Sequence, residues 1–456
     1  MKDMKLKNII LLLALGMLFA CEPKVDEFTT TGGSADFSNY VAVGNSLTSG
    51  YTDAELFKSG QQNSFPAILA TQFEAAGGGT FNQPLMYDEY GFGNRLLLDV
   101  SIPGPVPAGV TPDPANFESI ANMGPFNNMG VPGAKSFHMI PGAEAYSAMN
   151  PYYKRFAAEP GVSTVLGEAM AQNPTFFTCW VGGNDVLGYA LEGGAADSIT
   201  DPAIFQAALG AILQGMTSNG AKGAIATVPK VTDVPFFQYM NTRVPYNGLV
   251  VDSSQAAGLN YVFEQFELYL ASLGIIWDYD FTFNAGPNPF LVSDKTLPLP
   301  EPFNVRPMKS GELFLLTLPT DSLPKGMGSV DANNGNPVPW GIPDEYVLLD
   351  YELEQIDIAQ ASYNETIKAM ANQFDLALVD TYAKFEELNN GGITEDGITF
   401  TSDYITGNAF SLDGIHPTGQ GYALIANFFI EAINAKYGAA LTEVNVSLYP
   451  GLYYYH

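Results

Sequence analysis

The sequence predicts an α/β sandwich in which helices cover both faces of a mostly parallel sheet, giving three layers. Three observations predict it. Short apolar runs recur at 40–43, 175–181, 223–228 and 376–380, each of strand length. Amphipathic helical patterns alternate with them. A chain of 456 residues, 46% of them hydrophobic, can bury the large core that such a sandwich needs.

Taken in order, Tyr40-Val41-Ala42-Val43 is β-rich and closed by Gly44, so it reads as the first strand. Residues 64–76 read as a helix, with Phe65, Ile68, Leu69 and Phe73 on one face and Gly77-Gly78-Gly79 as its stop. Residues 77–128 are rich in Pro, Gly and Asn and show no clear period. The stretch 346–373 is strongly helical, carrying Leu349, Leu353, Ile356, Tyr363, Ile367 and Met370 on one face. A last helix is expected over 418–436, with Gly438 beyond it.

Residues 229–345 break the alternation. They are rich in Pro, Phe, Tyr and Asn and read as one large insertion covering a pocket. The tail 438–456 is expected to add an edge strand or to pack on the surface. Gly and Pro number 46 and 31, together below the ~25–30% typical of disorder, so long ordered loops are expected.

The N-terminus reads as a targeting segment. Lys2, Lys5 and Lys7 precede an apolar run from Ile9 to Ala20. That run is shorter than the ~18 residues a membrane-spanning helix needs, but it suits a signal-peptide core. It ends Leu18-Phe19-Ala20-Cys21, similar to a bacterial lipobox, with Phe19 bulkier than is usual there. Residues 1–20 are therefore expected to be a lipoprotein signal peptide, Cys21 the lipidated residue, and 21–36, polar and Gly-rich, a tether. The expected location is the cell envelope, lipid-anchored to the bacterial membrane, outer membrane first, facing the periplasm or the surface. Of the two cysteines, this leaves Cys179 alone in the apolar run Phe176–Val181, as a buried core thiol. The formal net charge of −29 repels nucleic acid and anionic membrane surfaces, so neither is expected as an electrostatic partner.

The chemistry starts from histidine, of which there are three. His416 stands in Asp413-Gly414-Ile415-His416-Pro417, just before the last helix. An Asp three residues before a His can accept its Nδ1–H and leave Nε2 as a base. Gly44-Asn45-Ser46-Leu47-Thr48 follows the first strand, where a Ser at a strand-to-helix turn stands above the sheet edge. It lacks the second Gly of a G-x-S-x-G elbow, having Thr48 there, and Ser46 alone would read as a helix cap. Asn128-Met129-Gly130-Val131-Pro132-Gly133-Ala134 is a Gly-punctuated loop. Gly182-Gly183-Asn184-Asp185 follows the 175–181 strand, at the end where open α/β sheets bind ligands, and Asn184 offers a side-chain N–H to a developing oxyanion.

In this order the four blocks resemble the SGNH (GDSL-type) hydrolases over roughly residues 38–436. The resemblance implies a flavodoxin-like sheet within one catalytic domain, 37–437, interrupted by 229–345. It implies Ser46 as nucleophile, His416 as general base and Asp413 as its orienting acid. The implied oxyanion hole is the backbone N–H of Ser46, the backbone N–H of Gly133 (with Gly130 the alternative) and the side chain of Asn184. Asn45 departs from the family, which has Asp there.

The implied reaction is hydrolysis of carboxylic esters through an acyl-serine, by an esterase or lipase, with no cofactor and no metal. Asp331-Ala332-Asn333-Asn334-Gly335 has its Gly one place early for a Ca²⁺ loop and reads as a turn. Two other readings share the sequence: a carbohydrate O-acetylesterase, with the same residues and a different pocket, and a non-catalytic surface lipoprotein binding glycan or lipid. The expected partners are a small-molecule, lipid or glycan ester, and the membrane through lipid on Cys21. Oligomeric state is not legible.

Overall fold

Strand β1 (Tyr40–Gly44) lies between two strands from distant parts of the chain. β2 (Asn128–Gly130) pairs with one edge of it and β3 (Phe176–Trp180) with the other, both parallel. β4 (Lys222–Ala226) and β5 (Ala377–Val379) continue the sheet beyond β3. The order is therefore β2-β1-β3-β4-β5, all parallel, which is the flavodoxin-like doubly wound order. The computed structural model describes residues 29–99, 104–277, 281–331, 337–452 and 454–455. The signal segment, Cys21, residues 22–28 of the expected tether and residues 332–335 of the Asp331 turn lie outside the described residues.

Each central strand is buried along its length, as expected when both faces of a parallel sheet are covered. On one face lie α2 (Phe65–Ala75) and α9 (Gly419–Tyr437), where Phe65 stacks on Phe429 at 4.7 Å and both rings meet Trp180; α8 (Thr381–Asn389) lies beside α9, Lys384 pairing with Glu431. The other face carries α3 (Val165–Ala171), α4 (Asn184–Leu191), α5 (Pro202–Thr217) and α7 (Asp350–Gln373), with Phe205 of α5 against Tyr363 of α7 at 4.4 Å. The three-layer sandwich follows. Cys179 is fully buried within β3, and burial pushes its thiol up to about 12; it is a core thiol.

Helix ends follow their local signals. Ser64 caps α2 and Pro66 sits in its first turn; Thr418 caps α9, and Gly438 closes it in the left-handed conformation. One expected boundary moves. Residues 347–349 are not helical and Tyr346 ends a separate 3-10 turn, because Val347-Leu348 pair antiparallel with Leu313-Phe314 and Val347 and Leu349 join a core inside 229–345. The apolar residues that extended the helical pattern serve a different layer, and α7 begins at Asp350.

Residues 229–345 have two apolar clusters of their own. One gathers Phe290, Val292, Met308 and Phe314; the other packs α6 (Ser253–Ser272) through Phe263, Phe266 and Leu270 against Trp277. At the tail, Tyr454-Tyr455 pairs in parallel with Leu98-Asp99, a small separate sheet. The described part of the 21–36 segment lies on the body: Ser34 N–H donates to the Tyr437 carbonyl, and Ala440 N–H to that of Thr31.

Candidate active site

The carboxyl ends of β1 and β3 bring the site together. After Gly44 the chain turns at once into α1 (Ser46–Ser49), and the turn leaves no room for a side chain. A Cβ on Gly44 would lie 2.0 Å from Thr48 Oγ1 and 2.7 Å from the Trp180 carbonyl oxygen. Glycine is needed here for close approach. Asn45 caps α1, its Oδ1 accepting the Leu47 N–H at 3.1 Å. The oxygen that a carboxylate would present is thus also supplied by the amide.

Ser46 and His416 meet here. Ser46 Oγ lies 2.9 Å from His416 Nε2, and His416 Nδ1 lies 2.8 Å from Asp413 Oδ2. With the ring proton on Nδ1 facing the carboxylate, Nε2 accepts from the serine hydroxyl. The ring is held between Asp413 and Tyr51, whose centroid is 4.7 Å away. Burial pushes the Asp413 carboxyl up, but the facing His416 charge and the hydrogen bonds from His416 and Ile415 outweigh it. The net result is a carboxyl below its usual value, and so an ionised partner for imidazolium.

Asn184 is the first residue of α4. The turn before it requires glycine: Gly182 has φ +104°, and a Cβ there would strike Val228 and Phe205. One Asn184 Nδ2–H donates to the Ala134 carbonyl at 3.0 Å; the amide's second N–H remains for a ligand. That bond also fixes the loop after β2, which Val131 N–H ties to the Gly44 carbonyl. Gly130 is excluded as a donor. Its N–H is taken by Asn128 Oδ1, and a Cβ on it would be 2.4 Å from Ser49 N. Gly133, at φ +78° and exposed, donates its N–H to no other described group, and neither does Ser46. Gly133 does not line the cleft at Ser46, whereas Asn184 does.

That cleft, narrow at about 50 Å³, is walled by Leu47, Trp180, Leu187, Val231, Val234 and Phe385, with Ser46, Asn184 and His416 at its polar end. Val231 and Val234 come from the start of the 229–345 segment, which also bonds to the His416 loop through Phe236 N–H and the Gly414 carbonyl. His138 lies elsewhere: it stacks on Tyr146 at 4.1 Å, and its Nδ1 accepts the Lys135 N–H. Burial, then Lys135, lowers its pKa. Among the described residues no cluster of three or more His, Cys, Asp or Glu has metal-binding proximity.

Sequence reasoning gave no role to Tyr51, Asp53, Glu55, Asp185 or Ser411. Asp185 is fully buried and accepts from both Ser136 N–H and Ser136 Oγ, locking α4 to the loop after β2. Its place beside Asn184 was the available signal. Glu55, also fully buried, collects the Phe92 and Asn94 N–H groups and the Tyr152 hydroxyl. Those partners are too far along the chain to be read from spacing.

No protein-family model matches this sequence, nor does any curated protein. Among solved structures it is similar to LAE5, an α/β hydrolase enzyme from the metagenome of Lake Arreo, Spain, with TM-score 0.36 and 11% identity over 88% of this chain and 96% of that one. It is also similar to a candidate GDSL-like lipase from Parabacteroides merdae, with TM-score 0.36 and 10% identity over 89% of this chain and 100% of that one. Neither likeness is close, and the roles of Ser46 and its neighbours are read from their own geometry.

Proposed function

We propose that this protein is a serine esterase of the SGNH (GDSL) type that hydrolyses carboxylic esters with an apolar acyl group. The observation that carries the proposal is the unbroken chain Ser46 Oγ–His416–Asp413, with bonds of 2.9 and 2.8 Å, opening into an apolar cleft. In the first step Ser46 Oγ attacks the ester carbonyl carbon while its proton passes to His416 Nε2. The negative oxygen so formed is met by the Ser46 N–H and the second Asn184 Nδ2–H; a third donor, Gly133 N–H, is implied by the family resemblance alone. The carbon–oxygen bond to the alcohol then breaks, and the alcohol leaves with the proton from His416. Water, deprotonated by the same ring, releases the acid and restores Ser46.

The apolar walls favour an acyl chain in the cleft over a polar sugar there. The basic, apolar, Cys21-terminated leader supports an envelope protein held by lipid on Cys21. No helix among the described residues is long and apolar enough to cross a membrane. Hydrolysis of p-nitrophenyl esters from acetate to palmitate, run beside acetylated glycans, tests the reading. Turnover of neither class would end it, and preference for the glycans would favour the O-acetylesterase.

A further inference from the structure

Two residues beyond α1, the chain makes a turn that costs conformational energy. Thr52 and Glu55 exchange both backbone hydrogen bonds at 3.1 Å, so Asp53 and Ala54 are the two central residues. Both have positive φ, +52° and +62°. A two-residue turn of this kind normally takes Asn-Gly or Asp-Gly. An alanine held there is strained, and such strain persists only where its surroundings enforce it.

The surroundings are the segment that carries the histidine. Ala54 N–H donates to Asp413 Oδ2 at 3.0 Å, the same oxygen that receives His416 Nδ1. Asp53 N–H donates to Ser411 Oγ at 2.9 Å, and that hydroxyl donates to Asp413 Oδ1 at 3.1 Å. Asp53 Oδ1 accepts the Leu412 N–H at 3.1 Å. Asp413 Oδ1 further takes the N–H groups of Ile415 and His416, both at 2.8 Å. The turn is itself anchored: Leu96 N–H donates to the Asp53 carbonyl, Arg95 Nη2 stands 3.8 Å from Asp53 Oδ2, and the Tyr51 hydroxyl donates to the Ala54 carbonyl.

We infer that the Asp53–Ala54 turn and Ser411 form a clasp that positions Asp413, and through it His416, for proton transfer with Ser46. The inference rests on the proposed roles of those three residues. Asp53 and Ser411 touch neither Ser46 nor the cleft, so they are positioning residues. The strained turn aims one N–H at the oxygen that orients the imidazole. Ser411 and the Leu412 bond hold the segment that leads into the carboxylate. Rotation of Asp413 would break its bonds from Ala54, Ser411, Ile415 and the His416 backbone together, so the ring is not free to swing from the serine.

The test uses the full chain with Asp53→Ala, Ser411→Ala, the double variant and Asp53→Asn, assayed on a short p-nitrophenyl ester. Reactive enzyme is counted by fluorophosphonate titration, and folding is checked by thermal melts. Each alanine variant should lower kcat roughly 10- to 100-fold, the scale of a small misplacement of a catalytic group, with KM within about twofold. The double variant should be no more than about threefold worse than the poorer single, because the two act through one carboxylate. Asp53→Asn should recover most of kcat, since Asn adopts positive φ and its Oδ1 still accepts the Leu412 N–H. If Asp53→Ala does not fold, Ser411→Ala carries the test. Wild type that turns over esters, with kcat unchanged in folded variants or with losses that multiply, would overturn the clasp while leaving the esterase standing. Wild type without turnover would remove both.

Discussion

His416 Nε2 lies 2.9 Å from Ser46 Oγ across 370 residues of sequence. The contact exists because the first strand occupies the middle of the sheet. A serine just after β1 and a histidine just before α9 are both delivered to the carboxyl edge, where β3 adds Asn184.

Asn184 has two duties, one structural and one proposed for catalysis. Asn184→Ala should lower kcat roughly 10²- to 10³-fold, the usual effect of losing one oxyanion donor, while KM changes little. It also removes the bond to the Ala134 carbonyl, so melts must accompany the kinetics. Unchanged kcat would leave Asn184 with its loop-fixing bond alone.

Leu187 is half-buried on α4 and lines the cleft. Leu187→Trp should narrow it without inserting bulk into the closed core. The ratio of octanoate to acetate ester turnover should fall by roughly tenfold or more, because methylenes displaced from an apolar pocket each carry ~1 kcal/mol or more of discrimination. An unaltered ratio would move the acyl site elsewhere.

Stability should depend on pH through buried carboxyls, most strongly Asp53 and Asp344. Burial foremost pushes both Asp53 and Asp344 up to about 6 from 3.8. Between those values the folded chain keeps protons that the unfolded chain releases, so these groups' contribution to stability falls as pH rises through that window. Asp413, held below its usual value, acts with the opposite sign below the window. Asp53 and Asp344 should drive a fall in Tm from pH 5 to pH 7, opposed by His138, whose lowered pKa favours the fold as pH rises over the same range. Asp344→Asn, which cannot ionise, should shrink that difference; an equal difference in the variant would remove Asp344 as a cause.

The lipid anchor rests on the leader alone. Cys21→Ser should yield unprocessed or soluble protein. Wild type should stay with membranes in high salt, because an acyl anchor is held hydrophobically. A variant that matures and fractionates like wild type would make the leader an ordinary secretory signal.

What could be read from the sequence was local. Asp413 sits three residues before His416, and Asn184 follows an apolar strand and two glycines, so short-range rules place both. β2 was not legible, because Asn128-Met129-Gly130 has no β-rich run and is a strand only through its pairing with Ala42–Gly44. The start of α7 was misjudged because Val347 and Leu349 continue a helical spacing while packing into another core. The Asp53–Ala54 turn carries no glycine to announce it, and its purpose shows only when Asp413, 359 residues from Ala54, is beside it.

The most direct measurement is covalent labelling. A fluorophosphonate probe, followed by peptide mapping, should modify the wild-type chain at Ser46, in parallel with loss of ester turnover. Ser46→Ala should keep its fold and lose both labelling and hydrolysis. Labelling at another residue, or retained turnover in folded Ser46→Ala, would contradict the account.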